Sequence, residues 1–213
     1  MTPPMNSLPK AHRTMILAHR AMLRDVDRVA RTAADLAARP DAERVRHLRR
    51  YATRITEIIR HHHQGEDTIL WPALRERGAD AEALRLLEEE HGALEARQSE
   101  LERAVTALGA DGSGATELEK AAVAVRESLA DHTADEEREL LGRLAPALDA
   151  KLWKNFERGM VRTAARWTLS FMPPWLAAVA EEHERSGVPA PGVAWLMRGR
   201  LRGQQAAAFG PHL

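Results

Sequence analysis

The sequence contains no cysteine, and its formal charges cancel. Its 213 residues carry 31 Lys and Arg against 31 Asp and Glu. The absence of Cys excludes disulfides, thiolate metal ligands and Cys nucleophiles, and the balanced charge gives no electrostatic signature of nucleic-acid binding. No apolar run approaches the roughly 18 residues of a membrane span, and the first ten residues lack an apolar signal-peptide core. We therefore expect a cytoplasmic protein that binds neither nucleic acid nor membranes.

Strand-forming residues are also scarce, since aromatic residues make up 4% of the chain and Tyr51 is the only tyrosine. A composition rich in Ala, Leu, Arg and Glu is typical of helical proteins. Apolar residues recur at helical spacing in four segments: Pro9–Ala38, Asp41–Gly78, Asp80–Gly109 and Thr116–Ala145. The short connections between them favour antiparallel neighbours. We predict an all-α, up-down-up-down four-helix bundle over residues 1–150.

The last part of the chain, residues 151–213, has a different composition. It contains four of the five Trp and all three Phe. The pair Pro173-Pro174 is expected to break it into at least two helices, because proline disrupts a helix interior. We predict a helical extension that packs on the bundle or on a partner, with a homodimer contact as an alternative.

Two blocks with the same spacing carry the candidate chemistry. Residues 61–72 read HHHQGEDTILWP and residues 132–141 read HTADEERELL. In each block a Glu follows a His by four, as Glu66 follows His62 and Glu136 follows His132. Positions four apart lie on one face of a helix, so each block presents an imidazole beside a carboxylate. Such pairs are potential metal ligands.

Each helix of the predicted bundle contributes one inward His: His19, His62, His91 and His132. Glu95, four residues after His91, is a further candidate ligand. Facing helices of a bundle can hold a dinuclear metal site with His and carboxylate ligands, and this donor set suits Fe, with Zn or Mn as alternatives. His61 and His63 lie about 100° to either side of His62 and are expected to flank the site, and His12 is expected to be exposed near the bundle mouth.

The sequence resembles the hemerythrin-like family of HHE cation-binding domains over residues 8–148. The resemblance is carried by the two blocks, by His19 in LAHR and by His91 in EEH. It implies a carboxylate-bridged pair of iron ions that binds O2 or a related diatomic or peroxide ligand. It also implies the following metal ligands: His19, His62, Glu66, His91, His132 and Glu136.

The sequence departs from hemerythrin on the third helix, where Glu95 stands in place of a second His. A carboxylate-richer site would hold ferric iron more firmly and would disfavour reversible O2 carriage. We expect an iron protein that binds or senses O2, NO, peroxide or iron itself. The alternatives are a di-iron oxidase or peroxidase covered by the extension, an iron-responsive interaction module, and a metal-free structural bundle.

Overall fold

The computed structural model describes residues 8–213 and confirms the all-α bundle. Within these residues every regular element is helical and none is a strand. The α-helices are α1 (Lys10–Ala38), α2 (Ala42–Gly65), α3 (Trp71–Glu76), α4 (Ala81–Ala107), α5 (Ala115–Leu141), α6 (Ala150–Thr163), α7 (Thr168–Ala177) and α8 (Pro191–Phe209). A π-helical turn, Glu66–Leu70, joins α2 to α3, and short 3₁₀ turns span Ala145–Ala147, Glu182–Gly187 and Gly210–His212.

Side-chain caps and one glycine set several helix ends. Asp41 Oδ1 accepts hydrogen bonds from the amides of Glu43 and Arg44, both at 3.0 Å, at the start of α2. Asp80 Oδ1 accepts one from the Ala83 amide at 2.8 Å at the start of α4. Gly78 adopts φ +73° after α3, a conformation that is cheap for glycine and costly for other residues. These three helix ends lie where the sequence predicts them.

The chain folds into two compact units, and the first contains all the candidate ligands except Glu95. It comprises the described residues up to Ala21, His61–His91 and His132–Arg198. Of the four long helices, this unit contains the start of α1, the end of α2, the start of α4 and the end of α5. Starts and ends alternate along the chain, as they do in an up-down-up-down bundle. Its core is built from large apolar side chains, with Leu70, Trp71 and Trp153 among them.

The second unit comprises Met22–Arg60, Gly92–Asp131 and Gly199–Leu213. A buried polar network lies inside it. The Tyr51 hydroxyl donates to Asp25 Oδ2 at 2.7 Å and accepts from Gln205 Nε2 at 3.0 Å. Phe209 packs edge-on against the Tyr51 ring with centroids 4.8 Å apart. This network supplies the hydrogen bonds that buried polar groups require.

Helix α6 packs closely against the π-helical turn and the end of α2 in the first unit. A Cβ added to Gly65 would overlap Sδ of Met160. A Cβ added to Gly159 would lie 2.6 Å from Cδ1 of Ile69. Both added atoms would be far inside van der Waals contact, so the absence of a side chain at each glycine gives room to the residue facing it.

The predicted helix break at Pro173-Pro174 is wrong. Both prolines lie inside α7, and the chain is interrupted earlier, at residues 164–167. The prolines occupy the middle of this 10-residue helix, where each removes the hydrogen bond that its amide would otherwise donate within the helix. No helix among the described residues combines the length and apolarity that a membrane crossing requires. The division of the chain at residue 150 stays a prediction.

Candidate metal centre

The first unit brings seven His and Glu side chains together at its centre. They come from α1, from α2 with its π-helical turn, from α4 and from α5. Their donor atoms form two groups, within each of which all lie within 4.8 Å of one another: His63, Glu66, His91 and His132 in the first, and His19, His62, Glu66 and Glu136 in the second. Every one of these side chains is buried.

Glu66 belongs to both groups and presents one oxygen to each. Its Oε1 lies 3.0 Å from Nε2 of His62 in the second group. Its Oε2 lies 3.6 Å from Nε2 of His91 in the first. A carboxylate placed in this way can bridge two metal ions. The π-helical turn begins at Glu66, and such turns within α-helices are frequent at functional sites.

The buried carboxylates are poorly satisfied by the protein alone. Glu66 and Glu136 are fully buried, and none of their four oxygens accepts a hydrogen bond of good geometry among the described residues; imidazole nitrogens of the same cluster lie closest to them. Nε2 of His63 is buried and likewise lacks a partner there. Burying polar groups without partners costs free energy, and metal coordination is one of the ways in which proteins offset it. The residues present therefore fit a cation at this position.

Outer carboxylates orient three of the imidazoles. Each carboxylate lies within hydrogen-bond distance of a ring Nδ1: Glu137 of His19 (2.9 Å), Asp67 of His91 (2.6 Å) and Glu90 of His132 (3.0 Å). Because a carboxylate accepts, Nδ1 of each ring carries a hydrogen, and in the neutral ring the Nε2 lone pair is directed toward the centre. An imidazole that donates its other N–H to a carboxylate is the usual arrangement around protein metal ions.

The facing imidazoles also fit a cation between them. Nε2 of His91 lies 3.1 Å from Nε2 of His132, and Nε2 of His19 lies 2.9 Å from Nε2 of His62. In the first pair both rings carry their hydrogen on Nδ1, so two lone pairs would face each other without a proton. A metal ion that accepts both lone pairs removes this repulsion.

Burial and mutual interaction set the charges of the metal-free cluster. Burial lowers the pKa of His62 and of His63 well below 6.5, which keeps both rings neutral. Burial and then the neighbouring Glu136 raise the pKa of Glu66 well above 4.5. Burial acts against ionising Glu136 as well, but the charge of His19 outweighs it and lowers the Glu136 pKa to about 2.

His19 is the cationic partner of Glu136. Burial opposes its charge, but Glu136, whose Oε2 lies 3.2 Å from Nε2, together with Glu137 raises the pKa of His19 to about 9. Without metal these shifts favour a proton on His19, paired with the Glu136 carboxylate, and oppose loss of the proton from Glu66. A cation takes the place of these protons when it binds, because metal ligands must be deprotonated.

Most of the sequence-predicted ligands meet at this centre, and one does not. His19, His62, Glu66, His91, His132 and Glu136 all belong to the two groups. Glu95 is exposed and belongs to neither group. The expectation that His12 is exposed is wrong, because its ring is 2% exposed and stacks on Trp153 with centroids 4.9 Å apart.

His63 is the ligand candidate that the sequence reasoning missed. It was expected to flank the site, yet it is buried in the first group, while His61 lies outside both groups and contacts Thr163 Oγ1 at 2.9 Å. The signal was present in the spacing from Glu66, because His62 lies four residues before it and His63 lies three before it. Both spacings bring side chains to the same helix face.

The architecture is that of a helical bundle whose core holds a His and carboxylate cluster fit for metal ions. A family model for the hemerythrin HHE cation-binding domain matches residues 11–144. The chain belongs to this family, and the resemblance inferred from the sequence is confirmed. No curated protein matches the sequence, and no solved structure matches it either. Membership in the family assigns metal-cation binding to the chain.

Proposed function

We propose that the chain is a non-haem di-iron protein that binds or senses O2 or a related small molecule such as NO or peroxide. The observation that carries this proposal is Glu66, which presents one oxygen to each of the two ligand groups. A carboxylate shared in this way supports two ions rather than one. Iron in such a site would supply redox chemistry and coordination positions for a small ligand.

The proposed ligands are five imidazoles and two carboxylates: His19, His62, His63, His91, His132, Glu66 and Glu136. This set has more imidazoles and fewer carboxylates than the sequence-predicted set, which includes Glu95 and lacks His63. The argument against reversible O2 carriage depended on Glu95, which lies outside both groups. Imidazole and carboxylate without sulfur suit iron, with Zn or Mn as alternative occupants.

The protein's own residues would orient the ligands and exclude water. Glu137, Asp67 and Glu90 hold three rings through Nδ1, which fixes their Nε2 atoms toward the centre. Each ligand group contains four side chains, and iron held by them would supply the chemistry that binds a small molecule.

An oxidase or peroxidase remains the second candidate function. One observation favours it: the C-terminal segment lines a cavity that reaches His62. A substrate held there would lie beside the metal centre. Turnover of peroxide or NO well above that of free iron would support an enzyme, and its absence with every oxidant would count against one.

The test is anaerobic loading of the metal-free protein with Fe(II), followed by metal analysis and visible spectroscopy. We expect two irons per chain and, on admission of air, absorption of a ferric pair near the ultraviolet edge. Bands that reverse when O2 is removed would indicate a carrier, and bands that persist would indicate a sensor or oxidase. Fewer than one iron per chain, or bound iron that gives no ferric-pair absorption on admission of air, would overturn the proposal.

A further inference from the structure

A cavity of about 320 Å³ lies beside the metal centre in the first unit. One wall is α1, with Met15 and Ala18, and His62 closes it at the metal centre. The rest of the wall comes from the segment between Phe156 and Ala190. That segment lies outside residues 11–144, which the family model matches. The cavity is therefore a feature that the C-terminal segment adds to the domain.

The wall of the cavity is almost entirely apolar. Thr14 and Thr168 contribute to it, but their hydroxyls are bonded to backbone oxygens, Thr14 to Gly187 at 2.6 Å and Thr168 to Ala165 at 2.6 Å. The ionisable side chains among the lining residues are His62 and Glu157, and Glu157 is exposed. Such a wall favours an uncharged occupant, because a charged one would lose its hydration without gaining a partner.

The rim of the cavity exposes apolar surface. Val161 and Leu169 both line it, and each is 59% exposed. Three methionines also line it: Met15, Met160 and Met172. Methionine side chains are flexible and polarisable, and they adapt to ligands of varied shape. Exposed large apolar residues around a methionine-lined cavity are typical of a binding site.

The backbone at the same cavity is strained. Ala190 lines it and has φ +44°, the one positive φ of a non-glycine residue in the described chain. Ala190 stands between Pro189 and Pro191, which restrict the chain on both sides. Strained backbone positions persist where the surrounding structure enforces them and cluster at ligand sites. This observation is independent of the side-chain composition of the wall.

We propose that this cavity binds an uncharged, largely apolar organic molecule and holds it against His62. A volume of 320 Å³ is at the small end of the range for ligand pockets, and it corresponds to on the order of ten to fifteen non-hydrogen atoms. The role of this molecule as a substrate or effector of the metal centre depends on the proposed function. Its binding does not, because the cavity is formed by the protein alone.

The first test is a fluorescence titration of the full chain, metal-free and metal-loaded, with 1-naphthylamine as the probe. We expect a saturable blue shift in both forms, because the ring leaves water for an apolar site. Naphthalene-1-sulfonate, which carries a charge on the same ring system, should bind at least about ten-fold more weakly. Equal binding of the two probes would overturn the proposal.

Two neighbouring alanines provide a matched pair of variants. Ala164 lines the cavity and is half-buried, whereas Ala165 is exposed and outside the lining. Ala164→Phe should weaken naphthylamine binding by at least about ten-fold, because the added ring fills the site. Ala165→Phe should bind as the wild type does. Equal binding by both variants would overturn the assignment of the cavity.

A second measurement keeps the test decisive if Ala164→Phe does not fold. In wild-type protein labelled at the methionine methyl groups, naphthylamine should shift the NMR signals of Met15, Met160 and Met172. Met22, which is buried in the second unit, serves as the reference. Shifts at Met22 with none at the three cavity methionines would overturn the proposal. A protein that binds the probe and takes up no iron would overturn the proposed function and leave the cavity assignment intact.

Discussion

Glu66 combines two properties that conflict in the absence of metal. It is fully buried, and neither of its oxygens accepts a hydrogen bond of good geometry in the described part of the chain. The same oxygens face His62 and His91 in the two ligand groups. A residue kept for metal binding at a cost to the metal-free fold is expected to trade stability for function.

We predict that Glu66→Met lowers metal content from the proposed two ions per chain to fewer than one. The same variant should stabilise the metal-free protein by about 1–3 kcal/mol, because it replaces unsatisfied buried oxygens with an apolar side chain of similar length. Metal analysis and denaturant unfolding of the metal-free protein check the two effects. The control is Glu95→Met at an exposed position, which should keep two ions. Two ions in Glu66→Met would contradict the shared-ligand assignment.

A second residue-scale prediction compares two adjacent histidines. His63→Ala should remove an imidazole from the first group and weaken binding of one ion by at least about 100-fold, since even an outer partner of a ligand is worth 10–100-fold. His61→Ala removes a ring of the same size that belongs to neither group, and it should keep both ions. Competition with a chelator of known affinity measures the difference. Equal affinities in the two variants would exclude His63 as a ligand.

At the scale of elements, the helices were predictable and the π-helical turn was not. The start of α2 at Asp41 and of α4 at Asp80 follows from capping residues that the sequence displays. The turn at Glu66–Leu70 packs against α6, a long-range contact that local propensity does not encode. His63 was predictable from its spacing of three residues before Glu66, whereas its angle of about 100° to His62 predicts only a flanking position.

Glu184 connects the 3₁₀ turn Glu182–Gly187 to α1 through an ion pair with Arg20. Its carboxylate accepts hydrogen bonds from both terminal nitrogens of Arg20, at 2.6 and 2.9 Å, and from the Glu181 amide at 2.9 Å. The hydrogen bond from Arg20 lowers the pKa of Glu184 below 4.5, although burial opposes this. This side chain should therefore stabilise the protein in its ionised form.

We predict that Glu184→Gln lowers the free energy of unfolding by about 1–3 kcal/mol at pH 7. The folded pKa lies below the unfolded value of 4.5, so the contribution is complete above that pH and is lost as the pH falls through the folded pKa. Urea unfolding of wild type and variant between pH 7 and pH 3 should show the difference shrinking. Glu182→Gln, at an exposed position in the same turn, is the control. A difference that is constant with pH would contradict the assigned ion pair.

At the scale of the whole molecule, metal binding and the C-terminal segment are linked through shared contacts. The end of α2 carries His62 and His63, and α6 packs against the π-helical turn that follows them. His61 also contacts Thr163 at the end of α6. A ligand that binds only the folded centre stabilises it. These contacts should extend part of that stabilisation to α6.

We predict that metal removal speeds amide hydrogen exchange in the π-helical turn and in α6. A metal present at a hundred-fold excess over its dissociation constant would stabilise the folded state by about 2.7 kcal/mol. Exchange measured by mass spectrometry with and without chelator checks this, with residues 199–213 of the second unit as the internal reference. Identical exchange in α6 under both conditions would argue against an iron-responsive module.

Some features of residues 151–213 could be predicted from the sequence, and others could not. Its helical character was evident from composition, and Trp153 and Phe156 lie in a hydrophobic core cluster. Its cavity was not, because the wall joins residues of α1 to residues more than a hundred positions later in the chain. Such long-range pairings carry no local signal, and in this chain they decide what lies beside the metal centre.

The paired glycines between the end of α2 and α6 have an evolutionary consequence. Gly65 leaves room for Met160, and Gly159 leaves room for Ile69. Each glycine has a reason to be kept only while its partner across the contact is present. In a lineage that lost the last 60 or so residues, selection would be free to replace Gly65 with alanine, which favours helix by about 1 kcal/mol. The four positions are therefore expected to change together among relatives.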